Sequence, residues 1–359
     1  MENLKKILKY KKEILLFCFV FISIFFTIVV KPIADLDELW NYNVARAISM
    51  GLIPYKDISM ITTPLLPIIA SVFLKVIANE VIVTRILASL IGTTIILYIY
   101  KIFSKLLKEE NITLVATALI GILFRNIYAL DYNLLVVLLA LIILYSEIKM
   151  HEKDEKQINY FKHLLIGLLA GLAFCTKQST GAILSMCVLL VPVLEINKKE
   201  EIKGQLKIAL TRSLGIFIPI FIFCIYLILT KSYMDFINYA VLGIATFTNK
   251  IPYKELFYAD ELVIKLLAVA VPITILILGI KIIINNIKQK NTTRENNLIL
   301  LFIYSISIII TMYPITDNVH FLEGSTITII SLIYLIFLVG NLLYNKILHN
   351  KKKFIYKVI

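Results

Sequence analysis

Asp35, Asp37 and Glu38 stand together just past a first long apolar run and directly ahead of Trp40. Carboxylates in that position have two readings. Asp35-x-x-Glu38 has the spacing of a capping box, and acidic side chains suit the positive end of a helix. A carboxylate at a water-facing helix start can equally take a proton from a hydroxyl as a general base. Spacing alone leaves both open. Two cations, Arg125 and Lys177, follow short apolar runs, Ile112–Phe124 and Leu164–Cys175. A helix over the first would rise about 20 Å, too little to lift its tip clear of a hydrocarbon core of ~30 Å. Such tips either snorkel to the headgroups or line a wet or protein-walled cavity. Asp317, His320 and Glu323 are spaced by three, which on a helix would align oxygen and imidazole groups along one face. Pro314 and Gly324 bracket that run as a loop, which favours contact with a substrate over a bound metal, although room for a divalent cation remains.

The elements that must carry these residues are membrane helices. Hydrophobic residues make up 59% of the 359 positions, mean hydropathy is +0.87, and apolar runs follow one another closely, so the fold class is an all-α polytopic membrane protein. The net charge of +13 resides largely in short clusters between apolar runs. Those clusters orient spans against an anionic leaflet, and nucleic-acid binding is set aside. Cys18, Cys175, Cys187 and Cys224 lie inside apolar runs without paired spacing, so they read as packing residues.

Ten spans are expected: Ile14–Val30, Val81–Phe103, Ile112–Phe124, Leu134–Ile148, Leu164–Cys175, Thr180–Leu194, Ile208–Leu229, Leu262–Ile284, Leu298–Met312 and Ser325–Tyr344. Lysines before Ile14 and the absence of a small-x-small cleavage site make the first run an uncleaved span. The Lys and Arg bias puts both termini in the cytoplasm. Residues 31–80 then form the first extracytoplasmic loop, with two short interfacial helices. One covers Asp35–Met50, where Trp40, Val44, Ala47, Ile48 and Gly51 recur at helical spacing. The other covers Pro64–Ile77, with Thr63 as N-cap and Pro64 at its first position, too short to span. On this topology Asp35, Asp37, Asp57, Asp131, Asp235, Asp260 and Asp317 all fall in or beside outer loops, which makes the outer face the chemical one. Lys231–Asp260 reads as a lid or a cover over the bundle. Gly167-x-x-x-Gly171 allows close helix packing.

The run Asp37-Glu38-Leu39-Trp40, then Asn43 to Arg46, Gly51, Pro54-Tyr55, Asp57 and Pro64-Leu65 resembles the first outer loop of GT-C superfamily glycosyltransferases. It is closest to bacterial enzymes similar to protein O-mannosyltransferases and aminoarabinose transferases. Leu130-Asp131-Tyr132-Asn133, Gly171 to Gln178 and Tyr313 to His320 fit the same branch. The resemblance implies one GT-C-like membrane domain over residues 1–359, here without a soluble carboxyl-terminal domain, in the cell membrane with an extracytoplasmic active site. It implies inverting transfer of a sugar from a polyprenyl-phosphate donor to a hydroxyl on a lipid, glycan or protein acceptor. The implied catalytic carboxylates are Asp37 with Glu38 beside it. Lys177, Arg125 and Arg46 are the implied donor-phosphate cations, with Arg85 a weaker candidate at the outer end of the second span. Tyr55, Asp57, Asp131, Tyr132, Gln178, Asp317 and His320 are implied substrate contacts. No cofactor is required. The rival class is a transporter or flippase for a lipid-linked or small anionic substrate, which would need polar residues along its depth rather than only at one end.

Overall fold

The computed structural model describes residues 2–32, 36–125, 127–152, 158–194, 201–243, 250–287 and 293–358. Among these residues the chain is helical, with two isolated β-bridges and no strand. The elements are α1 (Glu2–Val29), α2 (Leu36–Ser49), α3 (Leu65–Val76), α4 (Val81–Leu106), α5 (Glu110–Leu123), α6 (Tyr132–Glu152) and α7 (Tyr160–Thr176). After them come α8 (Gln178–Leu194), α9 (Ile202–Leu229), α10 (Tyr233–Phe236), α11 (Leu262–Ile287), α12 (Thr293–Ile309) and α13 (Asn318–Val358). A π-helical turn, Ile237–Leu242, continues α10, and a 3-10 turn, Tyr253–Tyr258, precedes α11.

Seven helices (α1, α4, α6, α9 and α11, with α12 extended to Met312, and α13) contain runs long and apolar enough to cross a membrane. The other three expected spans are α5, α7 and α8, of 14, 17 and 17 residues. Hydrogen bonds at the helix tips place the start of α5, the end of α7 and the start of α8 at one or other end of the bundle. At one end Thr63 bonds to Phe174, Lys177 to Asn133, Gln178 to Ala240, and Asn318 to Glu261. At the opposite end Lys12 pairs with Glu110, Lys101 with Glu13, and Lys105 with Glu152. The ends of α1, α4, α5, α6, α7, α11 and α13 named by these bonds thus lie where spans alternating in direction would put them.

Burial separates a centre from a rim. The spanning windows of α4 and α6 are 67% and 61% buried, against 11% and 22% for α1 and α11. The rim helices expose Phe19, Ile22 and Phe26 on α1, Phe217 and Phe221 on α9, and Leu266 and Leu276 on α11. An apolar belt of that extent belongs against lipid tails rather than water. Close approach of α7 to α9 depends on missing side chains: a Cβ added at Gly167 would lie 2.1 Å from the Arg212 carbonyl oxygen, and one at Gly171 would lie 2.4 Å from that of Ile216. Deep in the bundle the Arg212 guanidinium holds Glu147 at 2.7 Å and the Val188 carbonyl at 2.8 Å, while Tyr304 donates to Glu147. These polar groups satisfy one another, which is the condition for burying charge away from water.

The loop between α1 and α4 folds on α2 and α3, as its periodicity predicts. Two details differ. Pro64, not Thr63, is the cap residue of α3. Thr63 is instead drawn sideways, its hydroxyl donating to the Phe174 carbonyl and its N–H to Gln178 Oε1. The second difference is at α13, which begins at Asn318, so His320, Glu323 and Gly324 are helical rather than part of a loop.

Candidate active site

The polar tips gather where α2 meets the ends of α6, α7 and α13. Asp37 and Glu38 occupy the first turn of α2, where acidic side chains meet the free N–H groups of the helix. Glu38 is buried and turned away from the site. Arg85 of α4 grips both its oxygens, at 2.8 and 3.1 Å, and also donates to the carbonyls of Lys31 and Val29 at 2.9 and 3.3 Å. One guanidinium thus joins α4, the end of α1 and the start of α2 in a fork geometry that lysine could not reproduce. Tyr42 adds a bond to the Asn79 carbonyl, and Trp40 stands edge-on to Tyr132 with ring centroids 6.2 Å apart. The result is that Asp37 lines a cavity of about 510 Å³ with Trp40, Asn43, Tyr132 and His320. Asp35, the other member of the expected capping box, lies outside the described residues.

A second cavity, of about 410 Å³, is lined by Lys177, Gln178, Ile183 and Tyr313. The two cavities share Ile61, Tyr132, Ile315 and His320, so one wall separates Asp37 from Lys177. Lys177 sits at the corner between α7 and α8, a position fixed because its backbone N–H still bonds to Ala173 while the chain turns extended. Its ammonium donates to Asn133 Oδ1 at 2.8 Å and stands 5.3 Å from the centre of the Tyr132 ring. Burial pulls the Lys177 pKa below its ordinary value, and the charges of Asp131, Glu323 and Asp37 act against that.

Asp131 lies beneath Lys177, 2% exposed, where it accepts the Asn133 backbone N–H at 2.8 Å. Burial raises its pKa, opposed by that bond and by the charges of His320 and Lys177. Asp317 caps α13, taking the His320 N–H at 2.8 Å and its ring nitrogen Nδ1 at 2.9 Å. Burial alone would raise the Asp317 carboxyl, but the bonds and charge of His320 outweigh it and hold the group below the usual range. Among the described residues, no three carboxylate, imidazole or thiolate groups are arranged to hold a metal ion.

The expected site residues therefore divide. Asp37, Tyr132, Lys177, Gln178 and His320 line the two cavities, with Asp131 and Asp317 directly behind them. Gln178 is a clasp as well as a wall: its amide takes the Thr63 N–H and donates to the carbonyls of Ile61 and Ala240. Tyr55 is buried between Phe223 and Phe236, and its hydroxyl donates to the Thr62 carbonyl, so it holds the loop rather than facing either cavity. Asp57 is exposed and closes a turn on the Ile53 N–H. Arg46 and Arg125 are exposed and line neither cavity. Spacing did not reveal Asn133 as the partner of Lys177, nor Arg85 as the anchor of Glu38. Arg85 carried one signal that could have found it, an arginine inside an apolar run facing a carboxylate cluster across one loop.

Residues 62–226 match the family described as dolichyl-phosphate-mannose-protein mannosyltransferase. The matched segment contains Asp131, Asn133, Lys177 and Gln178 and begins after Asp37 and Glu38. No curated protein matches the chain. The matched segment is a little under half of the chain, and the similarity to that family sits on a bundle whose apolar helices are those of a multi-pass membrane protein.

Proposed function

We propose that the protein moves a sugar from a polyprenyl-phosphate donor to an acceptor hydroxyl at the extracytoplasmic face of the cell membrane, with both termini cytoplasmic. The observation that carries this reading is the pair of cavities divided by Tyr132 and His320, with a carboxylate on one and an ammonium on the other. The acceptor enters the cavity lined by Asp37, and the donor phosphate lies in the one lined by Lys177. The acceptor oxygen attacks the anomeric carbon as the bond from that carbon to the phosphate oxygen breaks. Asp37 takes the acceptor proton, and the phosphate leaves with the bonding electrons into the field of Lys177. A single displacement inverts the anomeric centre. A good leaving group needs no general acid, so one base is enough, and Glu38 serves to hold α2 through Arg85.

The transporter reading loses ground to the way the deep polar groups are arranged. Arg212, Glu147 and Tyr304 are bonded to one another, and none of them lines either cavity. The test is mass spectrometry of lipids retained by the purified protein, followed by incubation of the identified lipid with a membrane extract as acceptor. A retained polyprenyl-phosphate sugar that is consumed by wild type supports the reading. Vesicle uptake of the same lipid without any new glycoside would replace it with transport.

A further inference from the structure

Glu323 is fully buried in α13, and neither of its oxygens accepts a hydrogen bond from any N–H or O–H among the described residues. What it reaches is a second carboxyl. Asp131, ahead of α6, lies within side-chain hydrogen-bonding distance of it. Two ionised carboxylates in contact away from water repel each other, and each also loses its hydration, so a pair of this kind keeps a proton between its members. The donors around the pair say which member keeps the charge. Asp131 accepts the Asn133 N–H at 2.8 Å and lies 3.4 Å from the Asn133 side-chain amide, whereas Glu323 receives neither. The proton therefore sits on Glu323 and its O–H donates to Asp131.

The same Asn133 links the pair to the second cavity, since its Oδ1 accepts from Lys177. The other charged groups acting on this cluster are Asp37 from α2, and His320 with Asp317 from the start of α13. With one proton held, the pair carries a single negative charge opposite the single positive charge of Lys177. An anion arriving at Lys177 upsets that balance and draws a proton from solvent onto the Asp131 carboxylate.

We propose that Asp131 and Glu323 form a proton-sharing dyad that holds one proton while the second cavity is unfilled and takes up another when an anionic phosphate reaches Lys177. The proposal rests on the phosphate position given under Proposed function and adds a proton-coupled counter-charge to it. Burial of Asp131, which opposes its ionisation, agrees with the direction.

Two measurements on the full-length protein in detergent micelles test it. Infrared spectra at pH 7 should show the carbonyl band of a protonated carboxylic acid in wild type and its loss in Glu323→Gln, which keeps the volume but cannot titrate. Calorimetric titration with farnesyl methyl phosphate, a diester with no titrating proton near pH 7, should be run in two buffers of different ionisation enthalpy. Wild type should take up roughly half a proton or more per ligand bound, and Asp131→Asn, which lacks the carboxylate that receives it, should bind with uptake near zero. If Glu323→Gln does not fold, the infrared comparison is made on Asp131→Asn, in which the band should persist but shift in frequency because the Glu323 carboxyl loses its charged acceptor. Binding by wild type without uptake, or equal uptake by Asp131→Asn, overturns the coupling. An infrared band that is unchanged by the substitution, or that appears only after a chelator is added, overturns the dyad. Failure of the diester to bind while the band is present removes the phosphate position at Lys177 and the coupling with it.

Discussion

Replacing Arg85 by Met tests how α2 is held in place. The substitution removes two bonds to Glu38 and two to the carbonyls of Lys31 and Val29, at a site where the arginine and glutamate side chains are 7% and 6% exposed. Breaking a buried pair by deleting one partner costs about 3–5 kcal/mol, because the survivor keeps its desolvation penalty. With about 2–4 °C lost per kcal/mol for a domain of some 200 residues, and less for a longer chain, the drop in melting temperature is on the order of 10 °C. Glu38→Gln should cost less, about 1–3 kcal/mol, since the amide oxygen still accepts and Arg85 keeps its two carbonyls. Arg85→Met combined with Glu38→Met removes both charges and should recover most of the stability. The chain has a single tryptophan, Trp40, which lies on α2 against Tyr132. Thermal unfolding followed by its fluorescence therefore reports on this helix directly. The double variant should regain the melting temperature but transfer sugar about tenfold more slowly than wild type, because Asp37 loses the neighbour that orients its turn. A melting temperature for Arg85→Met within a degree of wild type, or a double variant no more stable than Arg85→Met, would refute the anchoring role.

Lys177→Met should weaken binding of a polyprenyl phosphate about 10–100-fold, the equivalent of one charged hydrogen bond of about 1.5–3 kcal/mol, as read by calorimetric titration. Burial holds the Lys177 pKa below its ordinary 10.5, so binding should fall as pH rises before that value is reached; Lys177→Arg, if it binds, should extend the alkaline limit. Gln178→Ala strips the Thr63 N–H of its acceptor and two carbonyls of their donor, so hydrogen exchange at Thr63 should accelerate by about tenfold or more, and an unchanged rate would show that the clasp is not needed. Gly167→Val forces α7 from α9 and should lower the melting temperature by several degrees, at a cost of about 1–3 kcal/mol or more; a neutral result would contradict the close approach.

The bundle was legible because span length and charge bias are one-dimensional signals. Hydropathy alone locates α4, α6, α9, α11 and α13, and the Lys and Arg clusters give their alternation. The shortness of α5 and α7 was legible too, and at Lys177 it led to the right inference, a tip that lines a cavity. At Arg125 the same reasoning pointed to a cavity, but the side chain is exposed and lines neither cavity described above. Span length fixes depth but not the direction in which a tip faces, and direction depends on which neighbour covers it. Glu38 illustrates the other limit. Its place beside Asp37 is visible in sequence, but Arg85 lies 47 positions away, so their contact is decided by how α2 lies on α4. Asn318 to Gly324 read as a loop because Pro314 and Gly324 are breakers by type. In the fold Gly324 is enclosed by Met312, whose side chain lies 2.8 Å from where its Cβ would be, and it serves close packing inside a helix. Tyr55 and Asp57 looked like substrate contacts through resemblance, while their bonds to Thr62 and Ile53 are what shapes the loop.

Single-turnover transfer by Asp37→Asn distinguishes a base that takes the acceptor proton from a carboxylate that only caps α2. The amide keeps the shape and caps a helix about as well as the carboxylate, so folding and donor binding should persist. Loss of a general base costs about 10²–10⁴-fold in rate, or about 3–5 kcal/mol on the barrier. A drop of that size is expected in the transfer step, measured with a polyprenyl-phosphate sugar bound at wild-type affinity. A rate within about threefold of wild type would contradict the base role and leave Asp37 as a helix cap.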